Sequence, residues 1–238
     1  MSELTVYQQI METKEHGKHL LAMLIDPDKF SEQNFREFVK SSDFSAVDLL
    51  FAGGSFLSTG TNSCIEGIKK YTDKPVILFP GNACHISKNA DAILLLSLIS
   101  GRNAEFLIGN HVTAAPFIKK SGIEAISTGY MLIGNGNDTS VEYISNTHPI
   151  PAAKTDIAVA TALAGEMLGM KLIYLEAGSG ARKSVPDEMV RAVSNACNSP
   201  LIVGGGINTQ DQMERKFENG ATIVVIGSAF EKGKSFKR

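Results

Sequence analysis

The sequence predicts an α/β fold, a single domain over residues 1–238 in which eight parallel strands close into a (β/α)8 barrel. Three observations carry this reading. Short β-branched or leucine-rich runs recur along the whole chain, as strands buried on both faces do. Segments with helical patterning separate most of them. Small or polar residues, many of them glycine, close nearly every run. With 43% hydrophobic and 20% charged residues the composition is that of a globular chain and excludes a disordered or fibrous one. Length alone leaves one domain or two open, because α/β barrels commonly run to about 250 residues as one unit. No repeat, linker or low-complexity tract divides the chain.

The elements follow in order. A polar, helix-like segment at 7–18 comes first, where Glu12, Lys14 and Glu15 interrupt the apolar core that a secretory signal needs, so a cytoplasmic location is expected. Strands are expected at 20–25, 47–52, 75–79, 92–98, 125–129, 171–176, 201–203 and 222–226. Helical patterning marks 34–40, 114–119, 156–168, 187–195 and 211–219. Two gaps break the repeat. Residues 80–91 carry Gly81, Asn82 and Ser87 and suit an extended connection better than a crossover helix. Residues 131–151 contain the turn signal Gly134-Asn135-Gly136-Asn137-Asp138, which predicts an extra hairpin or lid before a helix begins near Thr155. The longest strongly apolar stretch, 92–99, falls far short of the roughly 18 residues that span a bilayer as a helix.

Charge and cysteine content narrow the partners. The 25 acidic and 23 basic side chains balance to −2, which offers no global attraction to nucleic acid, so any anion site must be local. Cys64, Cys84 and Cys197 are an odd number without metal-ligand spacing, as expected of thiols in a reducing compartment. The five histidines show no metal spacing and read as structural, the adjacent Cys84-His85 pair included.

In such a barrel the chemistry sits at the C-terminal strand ends. The first run ends in Asp26-Pro27-Asp28-Lys29, the second in Gly53-Gly54-Ser55, the seventh in Gly204-Gly205-Gly206 and the eighth in Gly227-Ser228. Glycines after the last two strands let backbone N–H groups approach an anion, so Gly205, Gly206, Gly227 and Ser228 fit a phosphate site; the plainer reading is tight turns. A carboxylate at Asp26 suits Mg²⁺, with Ser55 as a further contact, although Asp-Pro-Asp also serves as a turn or cap, and Ser31 is another cap for the helix that follows. Tyr174 and Glu176 share one face of the sixth run, with Leu175 turned away. Glu176 fits a general base beside a ligand admitted by the small residues 177–180, or an interior glutamate paired with Lys154.

Together these strand ends resemble the geranylgeranylglyceryl phosphate synthase family, which includes the bacterial heptaprenylglyceryl phosphate synthases. The resemblance covers residues 20–230. It rests on Leu24-Ile25-Asp26-Pro27-Asp28-Lys29, Ala52-Gly53-Gly54-Ser55, Phe79-Pro80-Gly81-Asn82, Ala90-Asp91-Ala92 and Ser127-Thr128-Gly129-Tyr130. The most specific motifs are Tyr174-Leu175-Glu176-Ala177-Gly178-Ser179-Gly180-Ala181 and Ile202-Val203-Gly204-Gly205-Gly206-Ile207. Leu24 stands where one bacterial branch has lysine, which places the chain with the archaeal-like branch. Ser228 stands where threonine or asparagine is more usual.

The resemblance implies a modified TIM barrel whose third helix is replaced by an extended segment. It implies Mg²⁺-dependent transfer of a prenyl group from an isoprenoid diphosphate, geranylgeranyl diphosphate foremost, to the 3-hydroxyl of sn-glycerol 1-phosphate, in ether-lipid synthesis. Carried over by motif, Asp26 and Ser55 resemble the metal site. Tyr174, Leu175, Glu176, Ala177, Gly178, Ser179, Gly180, Gly205, Gly206, Gly227 and Ser228 resemble the glycerol phosphate site, with Glu176 catalytic. A homo-oligomer is implied, with no nucleic acid partner and no integral membrane segment. The competing readings are a phosphate-binding isomerase or aldolase, against which Lys29 is expected to face the loop, and a non-catalytic binder of glycerol phosphate or prenyl lipid.

Overall fold

The computed structural model describes residues 4–82, 85–134, 136 and 139–237. Helix α1 (Val6–Glu15) leads into β1 (Leu20–Ile25), a 3₁₀ turn at Pro27–Lys29, α2 (Glu32–Phe38), α3 (Ser42–Ser45) and β2 (Leu49–Gly53). Then come α4 (Thr61–Lys69), β3 (Val76–Phe79), β4 (Ala92–Leu98), a π turn at Glu105–Gly109 that runs into α5 (Asn110–Ser121), and β5 (Glu124–Gly134). The second half comprises α6 (Ser140–Ser145), β6 (Ile150–Pro151), α7 (Thr155–Met167), β7 (Leu172–Glu176), α8 (Asp187–Ala196), β8 (Leu201–Gly204), α9 (Gln210–Glu218), β9 (Ile223–Ile226) and α10 (Ser228–Glu231).

Eight of the strands pair in parallel around a closed ring, β1-β2-β3-β4-β5-β7-β8-β9, with β9 returning to β1. This is the predicted barrel. Between β3 and β4 the described residues form no helix, as the composition of that gap requires. Residues 83 and 84, and with them Cys84, lie outside the described part. Cys64 and Cys197 are buried free thiols.

The expected hairpin is corrected. Thr139 caps α6 in a reciprocal capping box with Glu142, and β6 then pairs in parallel with the end of β5, Ile133 opposite Ile150. The chain therefore makes a short crossover to a parallel strand in place of a reversal. Asn135, Asn137 and Asp138 of the turn signal lie outside the described residues. Strand β5 also runs past Gly129, where the predicted strand stopped. A Cβ there would sit 2.9 Å from Ile99 Cδ1, so this glycine permits close packing inside a strand.

Alternation along each strand divides the core in two. Ala22, Phe51, Ile77, Leu94, Leu172, Tyr174 and Ile202 fill the barrel, and Val6 and Ile10 of α1 join them. The Glu124 carboxylate, at the start of β5, accepts the Val6 N–H at 2.8 Å and so anchors the N-terminus of α1. Leu21, Leu50, Leu78, Leu175 and Val203 face outward and pack with Phe35, Ile65, Val190 and Met213 from the helices. Among the described residues no helix is long and apolar enough to cross a membrane.

Candidate active site

The C-terminal strand ends surround a polar pocket. On β7 the inner face presents Tyr174 and then Glu176, while Leu175 belongs to the outer layer. Glu176 is 7% exposed, and its Oε1 accepts the Gly178 N–H at 2.7 Å. Among the described residues no lysine or arginine pairs with it, Lys154 included. Burial pushes its carboxyl up to about 7, against the opposing pull of the Tyr174 hydroxyl and the Gly178 amide. A carboxyl poised there exchanges protons near neutral pH. Beside it, Tyr174 is fully buried, and its Oη lacks a well-aligned hydrogen-bond partner.

Gly205 and Gly206 follow β8 at φ +81° and +67°, a conformation that L side chains rarely adopt. A Cβ on Gly206 would lie 2.7 Å from the Lys183 carbonyl carbon and oxygen. The loop after β7 is thus laid directly on the loop after β8. Gly205, Gly206, Ser179, Gly180, Gly227 and Ser228 all line the pocket with Glu176 and Tyr174. Leu175, Ala177 and Gly178 do not. Ala177 is buried and its N–H is held by the Gly204 carbonyl at 3.0 Å; the Gly178 N–H is held by Glu176. These three support the wall instead of forming it.

Asp26 and Ser55 line the same pocket. Asp26 does cap the 3₁₀ turn, its Oδ1 accepting the Asp28 N–H at 3.0 Å, while its Oδ2 lies 3.2 Å from Lys29 Nζ. Ser31 caps α2. The capping and ligand readings are therefore compatible, because a carboxylate offers more lone pairs than one cap uses. Asp28 has a different task. It accepts Ser58 N and Oγ at 2.8 and 2.9 Å and Thr59 N and Oγ1 at 2.9 and 2.6 Å, which binds the loop after β1 to the loop after β2 and holds its carboxyl well below the usual range.

Lys29 departs from expectation. It lines the pocket rim and bridges Asp26 and Glu231, both at 3.2 Å. The (i, i+3) spacing from Asp26 across a turn was the available signal. Leu24, Phe79, Tyr130 and Ser140 also line the pocket and are not among the expected site residues, although the first three lie in motifs that carry the family resemblance. Leu24 was legible in principle, two residues before Asp26 on the inner face of β1.

A second, apolar cavity lies beside the first. Ile86, Leu94, Leu96, Phe106, Ala114 and Ile118 line it, and it shares Gly54, Ser55, Phe79, Tyr130 and Val141 with the polar pocket. It runs from the segment after β3 along β4 to α5. A charged head and a long hydrocarbon tail on one molecule match this pair of cavities.

Residues 8–237 match the model of the PcrB family. The chain belongs to the PcrB family. A geranylgeranylglyceryl phosphate synthase of Flavobacterium johnsoniae is 48% identical over 98% of this chain and 96% of the relative. One of Chitinophaga pinensis is 47% identical over 95% and 90%. The crystal structure of (S)-3-O-geranylgeranylglyceryl phosphate synthase from Thermoplasma acidophilum in complex with sn-glycerol-1-phosphate superposes with a TM-score of 0.90 at 31% identity, covering 97% of this chain and 93% of that one. The family and the barrel expected from the strand-end motifs are those found.

Proposed function

We propose that this PcrB-family chain joins the 3-hydroxyl of sn-glycerol 1-phosphate to an isoprenoid diphosphate, geranylgeranyl diphosphate foremost, and releases diphosphate. It is a prenyltransferase of the geranylgeranylglyceryl phosphate synthase type. The observation that carries the reading is the adjacency of the two cavities, which share five lining residues, with Glu176 in the polar one.

Backbone N–H groups around Gly205, Gly206, Gly227 and Ser228 hold the glycerol phosphate, so no arginine is needed. Glu176 orients the 3-hydroxyl and takes its proton as the oxygen attacks. The apolar groove takes the prenyl chain and excludes water from the carbon under attack. Asp26 and Ser55 would hold Mg²⁺. One carboxylate and one hydroxyl fit this ion, which keeps waters and draws remaining oxygens from substrate phosphates; among the described residues no group of three His, Cys, Asp or Glu offers a fuller cage. When bound, the ion neutralises charge on the departing diphosphate. The family resemblance also supports a homo-oligomer, which sedimentation measures.

The test is product formation. Radiolabelled sn-glycerol 1-phosphate with geranylgeranyl diphosphate and Mg²⁺ should give prenylglyceryl phosphate. A ladder of shorter and longer diphosphates then assigns chain length, and absence of product with every member refutes the reading.

A further inference from the structure

A glycerol phosphate and a prenyl diphosphate bring two anions to a pocket whose own charged side chains are mostly acidic. Among the described residues that line it, Asp26, Glu176 and Glu231 carry carboxyl groups and Lys29 is the single cation. Lys29 stands between two of the three. Its Nζ lies 3.2 Å from Asp26 Oδ2, on the loop after β1, and 3.2 Å from Glu231 Oε2, at the end of α10. The side chain is 62% exposed on a flexible four-carbon stem, so the ammonium shifts at little cost. Asp26 Oδ1 is committed elsewhere, to the Asp28 N–H at 3.0 Å within the 3₁₀ turn. Of the two partners of Asp26, the amide is fixed by the backbone and the ammonium is the one that can leave.

We infer that Lys29 is a resident cation of the diphosphate subsite, which neutralises Asp26 while no metal is bound and passes to the diphosphate when a divalent cation takes that carboxylate; this rests on the prenyl-transfer reading. A divalent ion and an ammonium a few ångströms apart repel each other even in water-like surroundings, so each weakens the other's hold on Asp26. A diphosphate reverses the balance, because its negative charges attract both. Glu231 keeps the ammonium at the rim, within reach of either partner. Glycerol phosphate, held by backbone N–H groups, does not need the lysine. Lys29 therefore competes with the metal and cooperates with the diphosphate, two effects of opposite sign from one side chain.

The experiment measures Lys29→Met in the full chain against two probes. Mn²⁺ alone, titrated without substrates and followed by electron paramagnetic resonance, should bind about tenfold more tightly to the variant than to the parent. Inorganic diphosphate, titrated calorimetrically at saturating Mg²⁺, should bind about tenfold more weakly. Affinity for sn-glycerol 1-phosphate should stay within about twofold. Equal Mn²⁺ affinity or equal diphosphate affinity overturns the inference, and so does a loss of affinity for all three, which is what a poorly folded variant gives. Lys232→Met removes the same charge one residue beyond Glu231 but outside the pocket lining, and should leave both probes within about twofold. Shifts as large as those of Lys29→Met would show a general field in place of a shared contact and overturn it too. A parent that makes prenylglyceryl phosphate while Lys29→Met moves neither probe defeats the lysine's role alone. A parent that makes no product with any diphosphate removes the prenyl-transfer reading and this inference with it.

Discussion

The Glu176 carboxylate occupies the space that a side chain at Gly205 would need: a Cβ there would lie 2.4 Å from Oε1 and 2.7 Å from the Gly178 amide nitrogen. The proposed base and the proposed phosphate cup are therefore one packed unit, built from the ends of β7 and β8. Substitution on either side of the contact should disturb the other.

Glu176→Gln tests the base. The amide keeps the shape of the carboxylate and removes its proton affinity, so binding of sn-glycerol 1-phosphate should change little while turnover falls by roughly 10²-fold or more. Calorimetric affinity beside steady-state rates separates the two effects, and unchanged turnover refutes the role.

The pH profile follows from the raised carboxyl. A base works deprotonated, so kcat/KM should climb as pH rises through about 7 and level off above it, and Glu176→Gln should lack that limb. Stability runs the opposite way. A folded-state value of about 7 against 4.5 for the free carboxyl means that ionisation opposes folding, so stability is full below about 4.5 and declines as pH rises through 7. The loss is on the order of 3 kcal/mol, and Glu176→Gln should flatten it in denaturant titrations across that window.

Asp26→Asn should raise the Mg²⁺ concentration needed for half-maximal rate by at least about tenfold, with sn-glycerol 1-phosphate affinity preserved. The neighbouring Asp28→Asn disturbs a different structure, the hydrogen bonds to Ser58 and Thr59. A shared Mg²⁺ dependence for the two variants would contradict the assignment to Asp26.

Gly205→Ala should cost roughly 1–3 kcal/mol of stability, because the new methyl meets the buried carboxylate and the backbone is left-handed at φ +81°. Affinity for sn-glycerol 1-phosphate should fall with it. A fully stable variant with parental affinity would show that the cup is looser than its packing.

The barrel was legible because strands buried on both faces leave short, dense apolar runs, and those runs alone placed Tyr174 and Glu176 on one face. The hairpin was misread because a glycine-asparagine turn is local chemistry, whereas the return of β6 parallel to β5 depends on where the α6 crossover comes to rest. Leu175, Ala177 and Gly178 entered the site only as neighbours within a motif; alternation and backbone hydrogen bonds turn them into its support. Lys29 sits at the rim because Glu231, distant in sequence, is brought beside Asp26.

By itself, then, the sequence determined the eight strands, their polar ends and the family, since these follow from residue type and short-range spacing. Ring closure decided the rest. It buried Glu176 and so pushed its carboxyl up to about 7, brought Phe79, Tyr130 and Tyr174 together from three strands, and set a polar pocket beside an apolar one. Desolvation and long-range contact belong to the closed barrel, and no local spacing in the chain carries them.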